Sequence, residues 1–583
     1  MEKPNKPSLS SLLGLPRAGQ TAQAAGRTLN SWRLGLLPVI NRLLERLQLE
    51  PLLRAYLPPE DGRLRISPAR GLLVLLKNLL LCREPLYGVG QWAAQYNPDL
   101  LGLSTRQIGS LNDDRMGRCL DRLFQSDCSS LALAVAAHAV TEFNVDLDEL
   151  HNDSTTVTFF GQYADASKEL PRRGQIRLAI TWGHNKDHRP DLKQLLFILT
   201  VAKDGGVPVY FQAKSGNVVD DQTHRATWDL LCRLTGRRDF LYVADCKLAT
   251  VENMAYVHQH GGRFLTVLPR TRSEDGVFRE SLSRGRVHWR RIYDKYDDKR
   301  NLVDRYSIAE PAMSSAEGYR LVWYHSTRKA QIDAAARMRQ VERALDDLAE
   351  LEQKLGSPRS RYHHRAKVAE AVETILQDRG TMRWISTEIN ERIQETYRQE
   401  RRGRPNEKTR YVRQVNMRFE LKYAVDHAAL AAERLGDGVF PLISNDRTLS
   451  DRELLLAYKG QPVIEKRFSQ LKTNFEVAPV YLKEVSRIQA LLCMYFLALL
   501  VESLLERELR RAMDRRGVAS LPLYPEGRAC RYPTVPRLIE VFESVQRHTL
   551  LVGKKPPVVF TTKLTRLQRQ ILSLLGMSRA YDG

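Results

Sequence analysis

A chain of 583 residues has the length for roughly three to five domains. Its 43% hydrophobic and 27% charged residues are the balance of a folded protein, which excludes a disordered one. The 90 Lys and Arg against 68 Asp and Glu leave +22 and a pI near 9.7, an excess that favours a polyanionic partner because each neutralised phosphate releases a counterion. Seven cysteines, an odd number without a C-x-x-C pair, argue against a disulfide framework and a zinc ribbon. The longest apolar run, 490–501, is too short to span a bilayer, and the first residues lack the apolar stretch of a secretory signal. The expectation is a cytoplasmic protein with no membrane partner.

Residues 1–28, rich in Pro, Ser, Gly and Ala, read as a flexible arm. From 29 to 145 the apolar pattern is helical, with Ser104 and Asn112 placed to cap two short helices, and this region reads as a helical DNA-binding domain. Helix pairs are common, so the DNA-binding part of that reading is one alternative beside simple packing. Near Val145 the period becomes extended. Residues 146–270 read as three strands, with a hairpin about Asp204-Gly205-Gly206, then a helix capped by Asp220 or Asp221, then a strand–helix–strand unit whose helix is capped by Thr250. That order is a mixed α/β sheet. Residues 271–438 read as β-rich and then helical, with Met338, Val341, Leu345, Leu348 and Leu355 at spacings of three, four and seven. Residues 439–510 return to the sheet and carry further helices, and 511–583 read as a basic helical C-terminal region.

Three carboxylates stand out. Asp153 lies inside the strand LHNDSTTVTFF, where a charge has no structural purpose, and Asp245 ends the apolar run FLYVAD, where α/β sheets gather ligands. Singly, a strand-end Asp is also explained as a turn cap. Glu465 follows a helix opened by the capping box Ser450 and Glu453 and kinked by Gly460 and Pro462. In a straight helix Tyr458, Gln461, Glu465 and Lys472 would fall within about 60° of one another. Elsewhere Arg402-Gly403-Arg404-Pro405, in a basic loop, looks like the core of a minor-groove hook, though a solvated loop explains it as well. Trp289, Trp323, His224 and the pair His363-His364 are each better explained by packing or by the surface than by a site.

These residues resemble bacterial DDE transposases of the insertion-sequence-four superfamily, whose third motif is Tyr-x2-Arg-x3-Glu-x6-Lys. Here it reads Tyr458, Gln461, Glu465, Lys472. The Asp153-Ser-Thr-Thr motif, YVADCKLAT around Asp245 and the long insertion before Glu465 are also similar, over about 150–500, and the likeness is closest to the sixteen-thirty-four group. The chain departs from the pattern at Gln461, where the family has Arg, and at Gln489. The resemblance implies a multidomain α/β protein with a ribonuclease-H-like catalytic core, interrupted by a large insertion and flanked by helical regions. It implies two Mg²⁺ ions, with Mn²⁺ as substitute, held by the catalytic carboxylates Asp153, Asp245 and Glu465. Tyr458, Gln461, Arg467 and Lys472 would contact DNA; apart from the resemblance, the minor-groove-hook reading would add Arg402 and Arg404. The implied activity is hydrolysis and strand transfer at inverted-repeat ends, on double-stranded DNA that includes a target. The protein would act as a homodimer in the synaptic complex and sit on the nucleoid when bound. The alternatives are a non-catalytic, domesticated DNA-binding protein and a nuclease of the same fold without strand transfer.

Overall fold

The computed structural model describes residues 21–24, 27–59, 64–218, 223–297, 299–310, 313–357, 360–475, 482–553 and 555–582. Asp220 and Asp221, expected as helix caps, lie outside the described residues, as do 1–20 of the expected arm. The chain divides into two compact units, one of residues 1–266 with 456–583 and the other of 267–455.

The first unit is built on a mixed sheet. Glu149–Phe159 pairs antiparallel with Lys193–Ala202, which pairs antiparallel with Pro208–Ser215. On its other side Glu149–Phe159 pairs parallel with Leu241–Ala244, and that strand with Arg263–Val267. The hairpin turns at Gly205 and Gly206, both at positive φ, where a Cβ would be strained. The parallel strands are joined through the helix Val251–Gln259, capped by Thr250. The expected caps Ser104 and Asn112 each accept a backbone N–H from their helices, Thr105–Ile108 and Asp113–Gln125.

The helix Val485–Arg515 forms the centre of this unit. It is long and apolar enough to cross a membrane, so the apolar run is part of a longer element than its 12 unbroken residues suggest, but 94% of its most apolar window is buried inside the fold. It packs on Pro68–Leu81, Asp113–Gln125, Cys128–Phe143 and the strand Pro208–Ser215, with Phe496 stacked on Phe211 at 5.7 Å between ring centroids. Two expectations are corrected here. Part of the arm and the start of the helical region form strands, Thr21–Ala24 and Arg27–Arg33. The C-terminal region is not all helix: Gln546–Val552 and Val558–Thr561 complete with them a four-stranded antiparallel sheet.

In the second unit His288–Tyr296, Leu302–Glu310, Arg320–Ser326 and Val439–Ser444 pair antiparallel in that order. Trp323 is buried here, stacked on Phe278 at 3.9 Å. The long amphipathic helix is present as Thr327–Gly356, with Val341, Leu348 and Leu355 buried and Met338 exposed. It packs with Arg365–Arg379. The stretch expected to continue as helix is instead two 15-residue strands, Ile385–Gln399 and Tyr411–Val425, paired throughout as a ribbon. The helices cover the root of this ribbon, where Ile385, Phe419 and Leu421 join their apolar cluster.

Candidate functional site

The register of the first unit's sheet brings two of the three carboxylates together. Asn152 lies opposite Ala244 in the parallel pair, so Asp153 and Asp245 are the next residues of two adjacent strands. Asp153 is held within its strand, opposite Leu199, with 22% of its side chain exposed. Its Oδ1 accepts from the Ser154 amide at 2.7 Å and from Lys186 Nζ at 3.2 Å. Burial pushes the Asp153 carboxyl up to about 6; the Lys186 ammonium opposes this and the Asp245 charge adds to it. Asp245 accepts the Lys247 amide at 3.0 Å, so it also caps the turn Cys246–Leu248. The structural explanation of a strand-end Asp and its nearness to Asp153 hold together.

The expected kink in the Glu465 helix is a break. One helix spans Asp451–Tyr458, residues 459–461 turn, and a second helix runs Pro462–Ser469 with the proline in its first turn, where its missing N–H costs nothing. It continues into a π-helical turn, Gln470–Asn474. The straight-helix stripe of Tyr458, Gln461, Glu465 and Lys472 therefore does not form. Proximity replaces it: burial, and then the charges of Asp245, Cys246 and Glu465, push the Tyr458 phenol up to about 12. Tyr458 thus feels the charges of both the second and the third carboxylate. Glu465 is exposed in the first turn of its helix, which packs against the Asp153 strand. Gly460 makes the close approach: a Cβ there would come within 3.0 Å of the His151 ring.

The remaining expected DNA contacts separate. Gln461 is half-buried, its Oε1 buried without a hydrogen-bond partner among the described residues. Arg467, expected at DNA, is corrected to a core residue, 1% exposed. It donates to the carbonyls of Gly205 and Gly206 at 2.7 and 2.8 Å and ion-pairs with Glu506 at 3.3 Å. Beside it, burial and the Glu506 charge push Glu502 up to about 8. Arg402 and Arg404 are exposed, in the second unit. His224, expected to be a bystander, is buried with its Nδ1 3.0 Å from the Tyr242 hydroxyl.

Two residues were missed by sequence reasoning. Lys186 contacts Asp153 and also donates to the Ser154 carbonyl and hydroxyl, each at 2.7 Å. Its neighbour Asp187 pairs with Lys472 and accepts from Thr156 Oγ1 at 3.4 Å. The two adjacent residues therefore tie the Asp153 strand to the turn that carries Lys472. The signal was the charge-dense run HNKDHRPD directly before the apolar strand QLLFILT.

Oxygen-only carboxylate donors suit a hard divalent cation, and Asp153 already holds one cationic group, the Lys186 ammonium. Among the described residues no group of three or more His, Cys, Asp or Glu is placed to hold a metal ion. The arrangement is a carboxylate pair, with the third carboxylate on a helix that packs against the Asp153 strand.

A family model described as a domain of unknown function, DUF4277, matches residues 29–137, the N-terminal helices of the first unit. No curated protein matches the chain. Among solved structures it is similar to piggyBac transposase, in a cryo-EM structure of the synaptic complex with hairpin DNA. The identity is 9% and the TM-score 0.26, over 50% of this chain and 60% of that one.

Proposed function

We propose that this chain is a DNA transposase of the DDE type, cutting and joining phosphodiesters at inverted-repeat ends of a mobile segment. One observation carries the reading. Asp153, in its strand, and Asp245, just past the end of the parallel neighbour Leu241–Ala244, are brought to the same level, with Tyr458 in the field of both Asp245 and Glu465. The order of three antiparallel strands, a helix and a parallel crossover supports a ribonuclease-H-like core, and the net charge supports a nucleic-acid partner.

In this reading Asp153 and Asp245 hold Mg²⁺, with Mn²⁺ as substitute, and Glu465 completes the set. When bound, such ions would supply Lewis-acid activation of an attacking oxygen and charge neutralisation at the leaving one. The protein's own part is positional. The sheet fixes the two aspartates, the helix packed on the Asp153 strand carries Glu465, and Lys472 offers a point charge to the backbone once released from Asp187.

The test uses the full chain and a supercoiled plasmid carrying the DNA that flanks its reading frame. Asp153→Asn, Asp245→Asn and Glu465→Gln are each expected to lower cleavage in Mg²⁺ about 100-fold or more, at unchanged DNA binding. Near wild-type cleavage by any one variant removes that residue from the site, and by all three removes the reading.

A further inference from the structure

The ribbon of the second unit extends far beyond the helices that cover its root. Pairing is continuous from Ile385 opposite Val425 to Gln399 opposite Tyr411, about 50 Å at the usual rise of a strand. On one face the apolar residues that are buried at the root continue outward as Ile393, Tyr397 and Val415, but there they are exposed, Ile393 by 67% and Tyr397 by 64%. A two-stranded ribbon alone in water is marginal, and an exposed apolar one needs a partner.

Charge identifies that partner. Between residues 397 and 413 there are seven Arg or Lys against two Glu. At the tip Arg402, Gly403, Arg404 and Pro405 are all exposed. Two strands about 5 Å apart fit the major groove of duplex DNA, roughly 12 Å wide. A slim Arg-Gly-Arg-Pro turn fits the minor groove, where arginine and apolar wedges act.

We propose that the ribbon is a DNA-clasping arm: its shaft lies along the duplex and its tip crosses the sugar–phosphate backbone to seat Arg402 and Arg404 in the minor groove. The proposal shares its partner class with the transposase reading but not its residues, so it is assayed by binding alone.

The experiment uses the full chain carrying Asp153→Asn, so that cleavage is irrelevant, and a duplex of roughly 30 base pairs in graded salt. Arg402→Gln with Arg404→Gln is expected to reduce the slope of log affinity against log salt by about two. Replacing residues 394–416 with Asn-Gly, which closes a tight hairpin on the Ile393–Met417 pair, is expected to weaken binding about 10-fold or more near 0.1 M salt. Unchanged slope and affinity in both overturn the arm. So does a shortened variant that sediments as a smaller oligomer with unchanged DNA binding, since the ribbon would then be a contact between copies of the chain. If the shortened chain fails to fold, the two exposed arginine changes decide alone.

Discussion

Asp153 keeps its proton to higher pH than an ordinary carboxyl, and this has a cost that can be measured. Below about pH 4 it is protonated in the folded and the unfolded chain alike and contributes nothing. Between about 4 and 6 the folded chain holds a proton that the unfolded chain has released, so stability falls as pH rises and stays lowered above 6. Asp153→Asn removes this titration. Its stability relative to wild type should rise between pH 4 and 7 by up to ~2–3 kcal/mol, read as urea midpoints at the two pH values. A flat difference would mean that the carboxyl is not held as the structure has it. Arg467 behaves oppositely. Fully buried beside Glu502 and Glu506, it cannot be removed without leaving a cavity and stripping the Gly205 and Gly206 carbonyls of their donor, while Glu506 keeps Lys466 and Arg510. Arg467→Ala should cost about 2–5 kcal/mol in the same experiment, through the cavity and the lost buried hydrogen bonds, with any effect on DNA binding following the loss of fold.

Elements were legible where local signals agreed and illegible where one pattern imitated another. The caps at Ser104, Asn112 and Thr250 and the two glycines of the hairpin act where their chemistry put them, because cap and turn are decided within a few residues. The ribbon was hidden by its first strand. Ile389, Ile393 and Tyr397 recur every four residues, as on a helix. Its second strand was readable: Val415, Met417, Phe419, Leu421, Tyr423 and Val425 alternate without a fault. The stripe of Tyr458, Gln461, Glu465 and Lys472 needs a straight helix; the break at 459–461 resets the faces, so spacing across it carries no angle. Arg467, which could compensate for the Arg missing at 461, lies on another face, and its partners Gly205 and Gly206 are 262 and 261 residues away. Lys186 was out of reach because its partner, Asp153, is 33 residues away. The break itself gives a prediction. The His151 ring is wholly buried and bonded to Glu149 at 2.9 Å, so it cannot yield to a Cβ at position 460. Gly460→Ala should destabilise by about 1–3 kcal/mol and reduce cleavage beyond what instability accounts for, since it shifts the helix that carries Glu465. Wild-type midpoint and cleavage together would show that the approach is looser than 3.0 Å.

At the scale of the whole first unit, the chain's two ends are one structure, which the sequence order conceals. The region 29–145 reads as a domain because its helical pattern is continuous, and the matching family model covers nearly the same residues. Its fold is nevertheless completed from the other end. The strand Arg27–Arg33 pairs along its whole length with Gln546–Val552, and the Tyr581 hydroxyl donates to the Gly35 carbonyl at 2.5 Å. Arg487, in the central helix, forms a bidentate pair with Asp121 at 2.9–3.0 Å. A fragment ending at Asn144 would expose the faces that bury Val485–Arg515, and a sheet strand with one partner removed. It should therefore fail to unfold cooperatively, and any preference for repeat DNA must be sought in the intact chain. The decisive measurement is hydrogen exchange on a chain truncated after Phe542. Loss of the partner strand should raise exchange at 27–33 by about 100-fold or more, while Glu149–Phe159 and Leu241–Ala244 keep their protection because their sheet contains no strand of the C-terminal hairpin. If 27–33 stayed protected after truncation, the N-terminal region would be a domain in its own right, and the fragment ending at Asn144 would again be the proper place to look for sequence recognition.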